Sequence, residues 1–165
     1  MSRRRARPAG TARLVAAVVI VALGASACSG GERLGARAFR AQADTQCAKL
    51  AAASEELGLA QSEGAAGEEV QGYVRAAADG LRDLTSGLAD LRAPEALESD
   101  ADALVAALDD YADGLDEIAS RVEPGQGLAE ALNAAPELVA RLNRISERAT
   151  ELVVALGLEG CQLAG

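Results

Sequence analysis

The sequence predicts an all-α fold, an up-down-up-down four-helix bundle after a cleaved signal peptide. Three observations carry that expectation. Apolar residues recur at alternating steps of four and three through the second and third segments, Val70 to Leu91 and Leu97 to Val122, which puts one stripe on a helix face and suits packing at about 20°. Ala, Leu, Val and acids dominate a chain of 165 residues with 2% aromatics and neither His nor Trp, a composition that favours closely packed helices. The Gly- and Pro-containing breakers between the segments are short, and short connections favour antiparallel neighbours.

The chain opens on Arg3, Arg4, Arg5, Arg7 and Arg13 with no acid before Glu32, the charge bias that holds an N-terminus on the cytoplasmic side. The apolar run from Leu14 to Ala27 follows. Crossing about 30 Å of hydrocarbon takes about 20 apolar residues, so this run is too short to remain as an anchor and fits the core of a cleaved signal, with an uncleaved signal-anchor as the competing reading. Ser2-Arg3-Arg4-Arg5 lacks the directly following apolar residues of a twin-arginine signal. Ala25 and Ala27 satisfy an ordinary secretory cleavage rule, and Ala25-Ser26-Ala27-Cys28 also reads as a bacterial lipobox with Ala where Leu is usual. Cysteine arithmetic separates the two. Of three cysteines, ordinary secretion would leave Cys28 unpaired, whereas lipidation consumes Cys28 and leaves Cys47 and Cys161 as a pair. The expected organisation is a signal peptide at 1–27, a lipidated Cys28 with a flexible tether including Ser29-Gly30-Gly31 over 28–35, and a bundle over 36–165.

Four helices are expected in the bundle. The first carries Phe39, Ala43, Cys47, Leu50 and Leu57, and Gly64 to Gly67 separates it from the second. The second carries Val70, Val74, Ala77, Leu81, Leu84, Leu88 and Leu91. Pro94 is expected in the first turn of the third, with Glu95 and Glu98 favourably placed at its positive dipole end. The third stripe runs Leu97, Ala101, Leu104, Leu108, Tyr111, Leu115, Ile118 and Val122. Glu123-Pro124-Gly125-Gln126-Gly127 opens the fourth, whose stripe is Leu128, Leu132, Val139, Leu142, Ile145, Ala149, Leu152 and Leu156. Pro136 should kink or restart that helix. Gly157 should form a left-handed cap, with Leu158 folding back on Val153 in a Schellman arrangement. Gly80 and Gly87, seven apart beside the second stripe, either admit a close neighbour or reflect coding bias, since each costs about 1 kcal/mol relative to Ala.

In this topology the start of the first helix and the end of the fourth share one end of the bundle, and those places carry Cys47 and Cys161. A disulfide between them would contribute about 4 to 5 kcal/mol through loop entropy, less any native strain. The alternative is two buried, unreacted thiols, which an exported location disfavours.

Residues 28–165 hold 11 basic against 25 acidic side chains, a formal balance of −14. That excludes nucleic acid as the natural partner, because neutralising phosphates needs clustered Lys and Arg. It also disfavours adsorption to anionic lipid and leaves the acyl group as the membrane contact.

Together the Ala-rich lipobox, Gln46-Cys47-Ala48 early in the first helix, the Leu91-Arg92-Ala93-Pro94 turn before an acidic helix with a central tyrosine, and the terminal Gly157-Leu158-Glu159-Gly160-Cys161 resemble small actinobacterial lipoproteins. The resemblance spans most of the chain after the leader. It implies an envelope location and the cysteine pair, and it transfers no functional residue.

Between Glu95 and Glu123 there are ten acids and one base, Arg121, and Asp109, Asp113 and Asp116 recur on one face. Stacked carboxylates could hold a divalent cation weakly, yet a di-iron bundle site needs Glu-x-x-His pairs and a calcium loop needs an irregular turn. A solvated acidic face is the simpler reading. Arg141, Arg144 and Arg148 lie along one side of the fourth helix, where they can pair with the third helix, pair with Glu137, or meet a partner. Gly125-Gln126-Gly127 has no preceding strand and reads as a turn rather than a dinucleotide loop. Serines have no histidine as base, and no phosphate loop is present, so no enzyme and no cofactor are expected. Tyr73 and Tyr111 lie on or beside the stripes, as packing or as pocket lining. The functional expectation is a non-enzymatic binding or structural module that engages an envelope protein or wall component. The alternatives are a carrier of a small apolar ligand between helices and weak cation binding by the carboxylates of the third helix.

Overall fold

The computed structural model describes residues 33–61 and 64–161, and among them the regular structure is entirely helical. The readings of the leader, the lipidation site Cys28 and the tether up to residue 32 lie outside the described residues, as does the side chain of Leu57. The chain forms α1 (Ala36–Gln61), α2 (Glu68–Ala89), α3 (Glu95–Arg121), α4 (Leu128–Ala134) and α5 (Pro136–Leu156). An all-α fold is therefore correct, and of the two outcomes expected at Pro136 the structure shows the restart, which divides the fourth helix into two. Pro136 has no N–H to continue the ladder, and its ring excludes helical geometry at the residue before it. Ala135 accordingly sits at φ −128°, ψ 56°, ends α4, and leaves Pro136 as the first residue of α5.

The other boundaries follow from local chemistry. Pro94 is the extended residue just before α3 rather than part of its first turn, and its carbonyl accepts from Leu97 N at 2.8 Å. Glu95 and Glu98 occupy the first turn, where negative charge is favourable. Gly157 ends α5 at φ 68°, ψ 42°. Leu158 N donates to Val153 O at 3.0 Å and Gly157 N to Val154 O at 3.1 Å, which is the Schellman pattern expected there.

α3 is the central helix, packed on α2 along one side and on α5 along the other, while α1 rests on α2. Serving two neighbours widens its buried set beyond one stripe: Ala112, Gly114 and Ala119 are buried, while Tyr111 and Leu115 are half-buried. In α2 the buried alanine is Ala78 rather than the expected Ala77, and in α5 Leu138 is buried while Val139 is half-buried. Gly114 permits the tightest approach, since a Cβ there would overlap the side chain of Leu142 and meet Arg141. Gly87 also admits a close neighbour, because a Cβ would lie 2.9 Å from Gln46 Cδ of α1, whereas at Gly80 the nearest atom, Leu50 Cδ1, is 3.4 Å away.

The interior divides into two apolar clusters. One draws on Phe39, Ala43, Leu84, Leu104, Leu152 and Leu156 and includes both bridged cysteines. The other joins Val70, Val74, Ile118, Ala131, Leu138 and Leu142 and contains no residue of α1. Tyr111 and Leu115 pack against both. No helix among the described residues is long and apolar enough to cross a membrane.

Candidate functional site

Cys47 of α1 and Cys161 beyond α5 form a disulfide, with 4.9 Å between Cα atoms and a sequence separation of 114. Two hydrogen bonds support the same junction. Arg40 Nε donates to Leu156 O at 2.7 Å, and Gly160 N donates to Asp44 Oδ1 at 2.9 Å. The Schellman turn at Gly157 sends the chain back toward α1, and Leu158 is buried in the cluster containing both cysteines. Just before α1, Leu34 N donates to Arg92 O at 2.9 Å, and Arg33 pairs with Glu98 at 2.8 Å. That hydrogen bond raises the Arg33 guanidinium above its ordinary pKa.

The carboxylates expected as an acidic face are engaged by α2, through residues the sequence reading did not single out. Arg82 donates to Asp113 at 2.8 Å and to Asp116 at 2.7 Å, and Asp79 lies 3.6 Å away. The hydrogen bond to Asp113, then that to Asp116, raises the Arg82 pKa above its usual value. Thr85, a buried polar side chain, donates to Asp109 Oδ1 at 2.6 Å. The available signal was position: Arg82 and Thr85 each follow a stripe leucine, so they sit at the edge of the apolar face and reach α3. A divalent ion at these aspartates would have to displace a guanidinium. Among the described residues no group of three or more acidic or thiol side chains is arranged to hold a metal.

The basic stripe divides as well. Arg141 crosses to α3 and donates to Glu117 Oε2 at 2.8 Å, while Arg121 takes the other oxygen of the same carboxylate. Gly114, lacking a side chain, lets the neighbouring Leu142 seat against α3 beside this pair. Arg148 pairs within α5 with Glu151 at 3.2 Å. Arg144 has no ion-pair partner among the described residues; it lines a shallow groove of about 500 Å³ with Arg121, Arg141, Glu117 and Glu137. The six candidate interaction residues therefore do not form one surface: Asp109, Asp113 and Asp116 face α2, Arg141 reaches α3, and Arg144 and Arg148 remain on α5.

Two concavities have apolar lining. One, of about 460 Å³, lies beside the chain's entry to α1 and is lined by Phe39, Leu88, Leu104 and Leu158, with Arg33 and Glu98 among its charged residues. The other, of about 250 Å³, lies among α2, α3, α4 and α5, with Tyr73, Tyr111, Leu115, Leu132 and Val139 in its wall. Both tyrosines thus line a pocket as well as packing against the cores.

No protein-family model, curated protein or solved structure matches this chain.

Proposed function

We propose that this chain is a lipid-anchored extracytoplasmic lipoprotein whose domain is a non-enzymatic binding or structural module of the cell envelope. In this reading residues 1–27 are removed and Cys28 carries the acyl chains. Residues 36–165 then form an up-down-up-down four-helix bundle, with α4 and α5 together making the fourth leg. The Cys47–Cys161 bridge carries the proposal. Disulfides persist in oxidising compartments, and this one uses both cysteines of the folded domain, leaving Cys28 as the only other thiol in the sequence.

The antiparallel arrangement draws support from contacts at both ends. Leu34 meets Arg92 and Arg40 meets Leu156 at one end, while Gly67 N donates to Gln126 O at 2.9 Å at the other. The resemblance to small actinobacterial lipoproteins supports the same address. A binding or structural role is the reading left by the residues. The chain has no histidine to act as base, both described cysteines are bridged, and Asp109, Asp113 and Asp116 of α3 are engaged by Thr85 and Arg82. The partner in this reading is an envelope protein or wall component.

Detergent phase partition of cells expressing the wild type and Cys28→Ala tests the anchor. The wild type should enter the detergent phase and the variant should not, whereas equal partition would remove the lipid from the account. Envelope crosslinking that recovers no reproducible partner would remove the binding role.

A further inference from the structure

The pocket among α2, α3, α4 and α5 differs in composition from the other two concavities, both of which have charged side chains in their walls. No charged residue lines it, in a chain that is 25% charged. Val74, Ile118 and Leu142 are buried at its base, while Ala77, Leu115, Leu132 and Val139 are half-buried around it. Its polar lining comes from Tyr73, Tyr111 and Asn143, whose side chains make no hydrogen bond among the described residues. A concave, mostly apolar lining with a few polar groups at its edge is the form that small-molecule sites take.

Local geometry holds the depression open. α4 is a helix of seven residues, ended by Ala135 and Pro136. Its start is fixed by Gly127 N donating to Glu130 Oε2 at 3.2 Å, and the preceding loop is tied to Gly67 through Gln126 O at 2.9 Å. α4 therefore contributes Leu128 and Leu132 to the wall without closing over Tyr73 and Tyr111. α1 contributes no residue to the apolar cluster beneath.

We propose that this pocket binds a small, neutral, apolar molecule carrying one hydrogen-bonding group. Its volume of about 250 Å³ falls just under the range of sites for drug-sized ligands, which limits the occupant to a short chain or a small ring system. The uncharged lining disfavours ions, because a charge brought there would lose hydration without gaining a counter-charge. Two phenols and a carboxamide can exchange hydrogen bonds with one alcohol, ether or carbonyl group on the ligand. The proposal rests on the reading of the domain as a non-enzymatic binding module and gives that module a site and a ligand class.

The test is a fluorescence titration of the full mature protein with N-phenyl-1-naphthylamine, a neutral apolar dye, with displacement by 1-nonanol. Ala77→Phe and Val139→Phe fill the pocket from opposite walls, and Ala106→Phe alters only the other concavity, at the disulfide end. Saturable one-to-one binding should appear, be displaced by the alcohol, and weaken at least about tenfold in whichever filling variants keep the wild-type melting midpoint. Ala106→Phe should bind like the wild type. Absence of saturable binding, wild-type affinity in a folded filling variant, or loss confined to Ala106→Phe would overturn the proposal. Cys28→Ala should bind the dye as the wild type does, so failure of this assay is distinct from failure of the lipid anchor.

Discussion

Replacing Cys47 and Cys161 together by Ala removes the only covalent link between α1 and the segment beyond α5 among the described residues. The size of the effect follows from the closed loop. With a sequence separation of 114, the chain-entropy relation gives about 5 kcal/mol of stabilisation through the unfolded state. Phe39 and Ala43 keep α1 buried against the core, and Arg40 still reaches Leu156 O, so the folded state stays intact when the sulfurs are gone and most of that entropic term should be seen, less any structure retained in the unfolded chain. We expect a loss of about 3 to 5 kcal/mol. For a domain of this size that corresponds to a fall in melting midpoint of about 10 to 15 °C. Thermal unfolding followed by circular dichroism, on oxidised wild type and the double Ala variant, measures it. Alanine is the appropriate replacement because both sites are buried and a serine hydroxyl would add a polar group without a partner. A change below about 1 kcal/mol would refute the reasoning, because it would mean that the bridge closes a loop already held closed without it.

Three further outcomes follow from individual residues. Gly114→Ala gains helix propensity of about 1 kcal/mol but drives a methyl into the side chain of Leu142, so chemical denaturation should show a net loss of about 1 to 3 kcal/mol, and a more stable variant would contradict the packing. Gly157→Ala forces a side chain into a left-handed cap at φ 68° and toward Arg40, and the same assay should show a loss of about 1 kcal/mol. Arg82→Gln removes an exposed network, so the midpoint should fall slightly at low ionic strength and that difference should vanish near about 1 M salt; a difference that persists there would show the pairs to be shielded from solvent. The sign of its pH dependence is fixed. A raised guanidinium pKa contributes stability that is present below the unfolded value and is lost only as pH rises through the folded one, so the Arg82 contribution should stay constant across neutral and mildly alkaline titrations.

The helices were legible because their information is local. Steps of three and four locate α1 to α3, Pro136 marks the break before α5, and Gly157 with Leu158 carries a complete cap signature. Tertiary context decided the remainder. Ala77 and Ala78 both border the apolar face of α2, and the packing of the neighbouring helices buries Ala78 and leaves Ala77 half-buried. α3 buries more than one stripe because it has two helical neighbours, and nothing in its own periodicity announces that. Gly114 gave no local sign of its role either, since the requirement for a missing side chain comes from Leu142, 28 positions later in the numbering.

The charges were legible in kind but not in pairing. An aspartate series on α3 is visible in the sequence, yet its neutralisation depends on Arg82 lying at the α2 edge of the same seam. Likewise Arg141, Arg144 and Arg148 read as one stripe, but among them only Arg141 pairs with α3, through Glu117. The apolar pocket had no sequence signature beyond the two tyrosines, because its walls come from four helices and its opening from the shortness of α4.

Intact mass spectrometry of the protein extracted from membranes, before and after reduction, tests the central claim most directly. The account predicts a chain beginning at an acylated Cys28 that gains two hydrogens on reduction, with both new thiols mapping to Cys47 and Cys161. A retained leader, an unacylated residue 28, or free thiols at 47 and 161 before reduction would contradict it.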